Sequence, residues 1–349
     1  MKGNYKESHN RLISIIIVNY NGGPLLHKAV AAALSSSIPV EVLISDNGST
    51  DGSLNAVYQT FGKDPRVHII SNGSNLGFSR ANNIALKKAK GRYILLLNPD
   101  CIIQPETLTK ILDVMETNPE VGMAGCLILN PDGSEQPGCR RAVPTPWRSF
   151  VRILHLNKIF PQQAHFRTFL LHQEPLPSDP KPVEAISGAF MLVRTEAIEQ
   201  VGLLDEHYFM HCEDIDWCMR FSQAGWKILF VPDVSVIHYK GTCSKGRPIK
   251  VLYYMHRGMI RFYRKFFRQQ YPLPLMAIVI STIWIRLILL SFAELILPPF
   301  RKHTVIIASP NIPPVLDKRK SAPVVAYIGP ERRKNIEARL PKTLPNKIK

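Results

Sequence analysis

Ser14-Ile15-Ile16-Ile17-Val18-Asn19 is the stretch whose reading decides the fold. Its β-branched run continues without a polar interruption, the pattern of a strand buried on both faces inside a helix-covered parallel sheet. Outward from it, Gly22-Gly23-Pro24 turns the chain into an Ala-rich helix ending near Ser35. Val40-Glu41-Val42-Leu43-Ile44-Ser45-Asp46 is a second strand, and Asn47-Gly48-Ser49-Thr50-Asp51-Gly52 is a turn that also caps the next helix. Arg66 to Ser71 makes a third strand, Ser79 to Lys90 a helix stopped by Gly91, and Arg92 to Leu97 a fourth strand. Pro105 opens another helix at a position that tolerates proline. Repeated strand, turn and helix units predict an α/β domain with a doubly wound, parallel sheet that binds ligands at the strands' carboxyl ends.

The first strand is not followed by G-x-G-x-x-G, which argues against a dinucleotide site. Residues 130–182 break the rhythm with nine prolines, from Pro131 to Pro182. A loop of that length in a compact domain is functional or partly disordered. Regularity returns over 185–194, followed by a helix over 214–224, a strand over 227–231 and a strand-like run from Val234 to His238.

A chain of 349 residues with 45% hydrophobic content can bury one large domain and a smaller appendage. Six cysteines form no C-x-x-C pair and Met1-Lys2-Gly3-Asn4 opens no apolar signal region, both expected of a reduced, cytosolic setting. The net charge of +17 is unevenly placed: residues 1–239 hold 22 Lys/Arg against 23 Asp/Glu, and residues 240–349 hold 22 against 4. A nearly neutral folded domain argues against a nucleic-acid partner. The basic excess instead borders the apolar stretch Leu273 to Phe300, with Arg257, Arg261, Arg264, Lys265 and Arg268 before it and Arg301 and Lys302 after it. That pattern suits a membrane surface with anionic lipids. Arg286 and Glu294 interrupt the stretch, so a span, an interfacial helix and a helix buried in a soluble subdomain all stay open. The basic tail 301–349 has the composition of a disordered segment.

Two acidic clusters carry the chemistry. Asn98-Pro99-Asp100 ends an apolar strand, and His211-Cys212-Glu213-Asp214-Ile215-Asp216 opens a helix. Carboxylates at a strand's edge and a helix N-terminus can hold a metal-bound phosphate opposite a general base, which points to group transfer from a nucleotide-activated donor. Breaking an anomeric C–O bond leaves a diphosphate whose charge a divalent cation neutralises most directly, and Mg²⁺ or Mn²⁺ prefers oxygen ligands. Asp100 suits that role; the alternative is a turn or helix-capping aspartate. His238, after Val234-Ser235-Val236-Ile237, is either a further ligand or a structural histidine.

Val18-Asn19-Tyr20-Asn21, Asp46-Asn47-Gly48-Ser49-Thr50-Asp51, Asn75-Leu76-Gly77-Phe78, Asn98-Pro99-Asp100, Glu213-Asp214-Ile215-Asp216 and His238 follow one another in the order and spacing of family 2 glycosyltransferases. The chain resembles that family over about residues 12–245, and within it the bacterial rhamnosyltransferases of cell-surface polysaccharide synthesis. The resemblance implies a GT-A fold with a Rossmann-like, mostly parallel sheet, a nucleotide-diphosphate sugar donor, a divalent cation and inverting transfer. It implies metal ligation by Asp100 and His238, and base recognition by Asp46 through a uracil or thymine imide N–H. The usual D-x-D of the fold reads Asn98-x-Asp100 here, so the first carboxylate is absent and the metal site is weaker in charge.

Inverting transfer is one displacement, so an acceptor hydroxyl must lose its proton as it attacks. Asp214 is the expected base, with Glu213 shaping the site; the alternative is that Asp214 caps its helix while Asp216 pairs with Arg220. Asn19, Asn21 and Asn98 line the nucleotide side or stabilise turns, and Arg80 is a phosphate or base contact or a solvated helix residue. Asn75-Leu76-Gly77-Phe78 shapes the nucleotide side, and Ser187-Gly188-Ala189 lets substrate approach the backbone. Arg140 and Arg141 meet a donor or lipid diphosphate, or form a solvated basic pair.

These expectations divide the chain into a transferase domain over 1–245 with an acceptor-side insertion at 130–182, a basic and aromatic membrane-associated helical region over 246–300, and the tail. The expected activity moves rhamnose, from dTDP-rhamnose ahead of a UDP-sugar, to a lipid-linked or growing surface glycan at the cytoplasmic face of a bacterial inner membrane. A sugar nucleotidyltransferase is the rival enzyme, but it wants a Gly-rich phosphate loop with a basic residue, for which Gly22-Gly23-Pro24 is a poor substitute. The non-enzymatic rival is a basic membrane- or nucleic-acid-binding module.

Overall fold

The computed structural model describes residues 11–160, 162–241 and 248–296. The expectations for the tail, for Cys243 and for the end of the apolar stretch fall outside those residues. Strand β1 (Ile13–Asn19) is buried along its whole length. It runs parallel to β2 (Val40–Asp46) in a register that places Asn19 beside Asp46. β3 (Val67–Ser71) and β4 (Tyr93–Leu97) extend this parallel half, in the spatial order β3-β2-β1-β4.

The period of two along each strand makes two cores. Ile13, Ile15 and Ile17 pack with helices α1 (Gly23–Leu34) and α2 (Ser53–Phe61), while Ile16 and Leu43 face α3 (Phe78–Leu86). The winding on both faces is therefore physical, because each face of β1 has its own helices.

After the short β5 (Cys101–Ile102) and α4 (Thr107–Glu116), the chain enters β6 (Val121–Leu129), a buried strand that sequence patterning did not mark. Its glycines carry the packing: a Cβ on Gly125 would lie 2.9 Å from Ile186, and one on Gly122 2.9 Å from Trp226. Small residues that close contact requires also lower β-propensity, so the strand looks weak in isolation.

The insertion holds more regular structure than its prolines suggested. It carries β7 (Arg140–Arg141), α5 (Pro146–Ile153), α6 (Leu156–Ile159) and β8 (Lys181–Pro182). Thr145 Oγ1 accepts from the Arg148 N–H at 3.1 Å and Pro146 opens α5, the pairing of N-cap and first-turn proline that starts a helix.

The regular run over 185–194 is two strands, parted at Ser187-Gly188-Ala189. β9 (Ala185–Ile186) pairs with β7 in a two-stranded sheet, and β10 (Phe190–Arg194) enters the main sheet antiparallel to both β4 and β6. A parallel entry needs a crossover helix; β10 arrives directly from the insertion, so the mostly parallel sheet is mixed at this point.

Helix α7 (Thr195–Val201) leads to α8 (Glu213–Gln223), and the two runs expected over 227–238 form one bent strand, β11 (Lys227–His238), irregular between Val231 and Ser235. The last described helices are α9 (Pro248–Phe266) and α10 (Leu273–Ile296). The described residues form one compact unit. α9 is fastened to the sheet domain by Arg261 and Lys265, which reach Asp205 at 2.8 and 3.0 Å, and by Lys265 at 2.6 Å from Asp216. Burial alone would raise the Asp205 carboxyl, but these cations and the His207 contacts hold it below the usual carboxylate range. α10 has 24 residues, and an 18-residue window of it has a mean hydropathy of 2.3 with 17% buried, long and apolar enough to cross a membrane by length and composition.

Candidate active site

The carboxyl ends of β1, β2 and β4 and the start of α8 gather at one edge of the sheet. On the expected nucleotide side Asn19 is fully buried, and its amide donates to Asp46 Oδ1 at 2.8 Å and Ser49 Oγ at 2.9 Å. Asp46 Oδ2 accepts the N–H groups of Gly48 and Ser49 at 3.1 and 3.0 Å. Asn21, held at φ 56°, accepts from Thr50 N at 2.8 Å. These three residues thus shape the loop at the ends of β1 and β2, and Oδ1 of Asp46 keeps a lone pair for a further donor. Arg80 is exposed on α3, 3.9 Å from Glu206.

Asn98 is tied to β10 by its N–H, which donates to Ala189 O at 3.0 Å. Asp100 and His238 are buried together, with Asp100 Oδ1 3.0 Å from His238 Nε2 and the Asn98 amide 3.2 Å from the same nitrogen. His238 Nδ1 lies 2.7 Å from Gln136 Oε1, an oxygen that only accepts, so Nδ1 carries a proton. Nε2 and Asp100 Oδ1 thus face each other as a nitrogen and an oxygen donor that a divalent cation could share. Among the described residues no group of three His, Cys, Asp or Glu side chains converges on one point, so phosphate and water would complete the shell.

The expected acceptor side falls on the first turn of α8. His211 and Cys212 precede it at φ 67° and 71°, a left-handed pair that residues with a Cβ seldom adopt. Gly258 of α9 makes room for this turn, since a Cβ there would lie 2.8 Å from His211 O. Asp214 Oδ2 accepts a short hydrogen bond from Arg141 Nη2 and a longer one, 3.3 Å, from Gly188 N, while Oδ1 accepts from Ile215 N at 2.8 Å. Burial raises the Asp214 carboxyl, but the charge and hydrogen bond of Arg141 outweigh it and hold Asp214 below the usual carboxylate range.

Its neighbour behaves oppositely. Glu213 is buried, its Oε2 has no hydrogen-bond partner among the described residues, and burial followed by the Asp214 charge pushes its carboxyl up to about 8. One carboxylate is kept charged beside one kept protonated, the division of labour that acid–base sites use. Asp216, fully buried, pairs with Arg220 at 2.8 Å and with Lys265, so it is a structural clasp.

Arg140 and Arg141 form no solvated pair. Arg140 turns to Glu135 at 2.9 Å and to the carbonyls of Glu174 and Pro175, closing the insertion. Arg141 serves Asp214 and also donates to Ile186 O at 2.7 Å. Sequence reasoning did not find the Arg141–Asp214 partnership or the Gln136–His238 support; both partners lie in the irregular insertion, where no periodicity reveals which way a side chain faces.

The expected Asn75-Leu76-Gly77-Phe78 motif does pack tightly. Phe78 N donates to Phe209 O at 2.6 Å, and a Cβ on Gly77 would come 2.5 Å from that oxygen.

Comparison with known proteins identifies the family and the fold. The family model described as "Glycosyl transferase family 2" matches residues 14–202. The N-acetylglucosaminyl-diphospho-decaprenol L-rhamnosyltransferase of Mycobacterium tuberculosis is 32% identical over 263 residues, covering 72% of this chain and 83% of that protein. The rhamnosyltransferase WbbL of Escherichia coli K12 is 33% identical over 175 residues, covering 48% of this chain and 62% of that protein. Among solved structures, the mannosyltransferase PcManGT from Pyrobaculum calidifontis, in complex with GDP-Man and Mn²⁺, superposes with a TM-score of 0.51 at 17% identity over 79% of this chain and 69% of that one. At that identity the likeness speaks for the fold, which is GT-A.

Proposed function

The chain belongs to glycosyltransferase family 2, and from that premise we propose that it is an inverting, membrane-associated transferase. It moves rhamnose from dTDP-rhamnose to a lipid-linked or growing surface glycan on the cytoplasmic face of a bacterial inner membrane. Residues 1–245 form the transferase domain and 246–300 its membrane-associated extension. The rhamnosyl names of its relatives support the sugar, and the diphospho-decaprenol in the name of one supports the acceptor class.

One observation carries the reading. The Asp100–His238 pair and the Asp214–Arg141 pair flank a single backbone turn, because Ala189 O accepts from Asn98 N and the adjacent Gly188 N donates to Asp214. A donor phosphate and an acceptor hydroxyl held by those two pairs would face each other across that turn, as a single displacement requires.

In that displacement the acceptor oxygen attacks the anomeric carbon while Asp214 takes its proton, and the bond to the diphosphate breaks with both electrons leaving on the diphosphate oxygen. Arg141 keeps Asp214 ionised and oriented before the proton arrives. Asn19, Asn21, Asp46 and Asn98 position the nucleotide, with Arg80 at the rim. Ser187 and Gly188 let the sugar approach the backbone. A divalent cation, Mg²⁺ or Mn²⁺, bound by Asp100 and His238 would neutralise the diphosphate.

A donor screen tests this, following thermal shift and donor hydrolysis with Mn²⁺ or Mg²⁺. dTDP-rhamnose is expected to stabilise the chain most and to be hydrolysed fastest; a UDP- or GDP-sugar that outperforms it sinks the donor assignment. Asp214→Asn is expected to abolish transfer while nucleotide binding survives, and normal turnover in that variant removes Asp214 as the base.

A further inference from the structure

We propose that residues 146–160 are a second membrane contact, an interfacial helix and turn that rest on anionic phospholipid headgroups beside α10 and hold the acceptor side of the site at the bilayer surface. This rests on the membrane-associated reading above and adds to it a segment outside the apolar stretch.

α5 buries Pro146 and Val151 against the domain but leaves Trp147, Phe150, Ile153 and Leu154 outward, and Ile159 and Phe160 continue the exposed apolar surface. Arg148 and Arg152 occupy the neighbouring arc of the same helix, so its outward half is apolar on one side and cationic on the other. A basic amphipathic helix with an exposed tryptophan is suited to the level of lipid headgroups.

The charge pattern selects the partner. From residue 136 to 173 the sequence contains no Asp or Glu and six Lys or Arg. Arg140 and Arg141 are committed inside the domain, Arg148 pairs with Glu184 at 2.6 Å, and among the described residues Arg152 and Lys158 have no carboxylate partner. Arg152 stacks on Phe169 and lies close enough to Arg286 of α10 for the two charges to repel. Two cations at one surface junction without an acid between them are suited to phosphate oxygens.

Position makes the contact useful. Ser149 Oγ lies 2.7 Å from Tyr263 OH of α9, so α5 is fixed against the helix that leads to α10. Arg141, the partner of Asp214, is five residues before the start of α5. A lipid-linked acceptor lying on that surface would have a short path to the base.

The test uses the full chain in vesicles of phosphatidylcholine with one quarter phosphatidylglycerol, and reads tryptophan quenching by brominated lipid and by aqueous iodide. Comparing Trp284→Phe with the Trp147→Phe/Trp284→Phe double variant isolates Trp147, and comparing Trp147→Phe with the double variant isolates Trp284 on α10. Trp147 is expected to lose about half its emission to brominated lipid, to be shielded from iodide, and to lose much of that quenching when phosphatidylglycerol is omitted. Quenching of Trp284 with Trp147 open to iodide overturns this contact and leaves the α10 reading standing. Trp147 shielded from both quenchers means that protein covers the surface, a second copy included, and also overturns it. If neither residue meets lipid, the membrane reading falls as well.

Discussion

Arg141→Gln is the perturbation that separates a base from a helix cap at Asp214. Arg141 and Asp214 are largely buried, with side chains 15% and 13% exposed, and the guanidinium is what keeps the Asp214 carboxyl below its ordinary range. An adjacent arginine lowers an aspartate by about 1–3 pKa units, so its removal should return Asp214 upward by about that amount, with burial pushing the same way. If Asp214 must be ionised to take the acceptor proton, the acid limb of the rate profile moves to higher pH by about 1–3 units. Turnover on that limb then falls about 10- to 1000-fold and recovers as the pH is raised. Breaking a buried pair by removing one partner costs about 3–5 kcal/mol; protonation of the stranded acid should keep the loss near the lower value. The assay is a pH–rate profile of sugar transfer at saturating donor, run beside urea unfolding, with Arg141→Lys as a variant that keeps the charge but not the two-way hydrogen bonding. An acid limb that does not move in Arg141→Gln refutes the reasoning. A raised donor KM with the limb unchanged would instead make Arg141 a phosphate contact.

Glu213→Gln should change how stability depends on pH. The native carboxyl titrates near 8 against an ordinary 4.5, so the folded state holds an extra proton between those values. The wild type therefore loses stability relative to the variant as pH rises through that window, by as much as about 5 kcal/mol. Parallel urea midpoints for the two proteins from pH 5 to 8.5 would exclude the raised carboxyl. Gly77→Ala should destabilise the fold by about 1–3 kcal/mol or more, because φ 85° with ψ 176° belongs to glycine alone and the new Cβ meets Phe209 O; urea unfolding measures it, and an unchanged midpoint contradicts it. Exhaustive chelation should abolish transfer and Mn²⁺ or Mg²⁺ should restore it, with Gln136→Leu raising the metal required about 10- to 100-fold by releasing His238. Undiminished activity after chelation removes the cation from the mechanism.

Legibility in the sequence followed the strength of local signals. The apolar runs of β1, β2 and β4 and the turn at Asn47-Gly48 are unambiguous because burial on both faces and turn chemistry each leave a residue-type signature. The same holds for the placement of Asp100 and Asp214, since strand ends and helix starts can be located by pattern. β6 was not legible: its glycines are demanded by Ile186 and Trp226, which are distant in sequence, and contacts of that kind are invisible to a local reading. The direction of β10 was hidden for the same reason, because it depends on how the insertion returns to the sheet.

The adjacent arginines of the insertion show where such a reading stops. Neighbouring residues on a strand point to opposite faces, so only one of Arg140 and Arg141 can meet Asp214. Which one does so is set by the pairing of β7 with β9, Arg140 opposite Ile186 and Arg141 opposite Ala185. A strand two residues long displays no alternation of its own, so nothing local distinguishes the two positions. A slip of one residue in that pairing would turn Arg140 toward Asp214 and Arg141 toward Glu135, with every residue type unchanged. The charge state of Asp214 thus depends on a register fixed by tertiary contacts, chiefly the anchoring of Arg140 by Glu135 and by the carbonyls of Glu174 and Pro175. Loosening that anchor should therefore weaken catalysis at Asp214 although Arg140 itself touches nothing in the site.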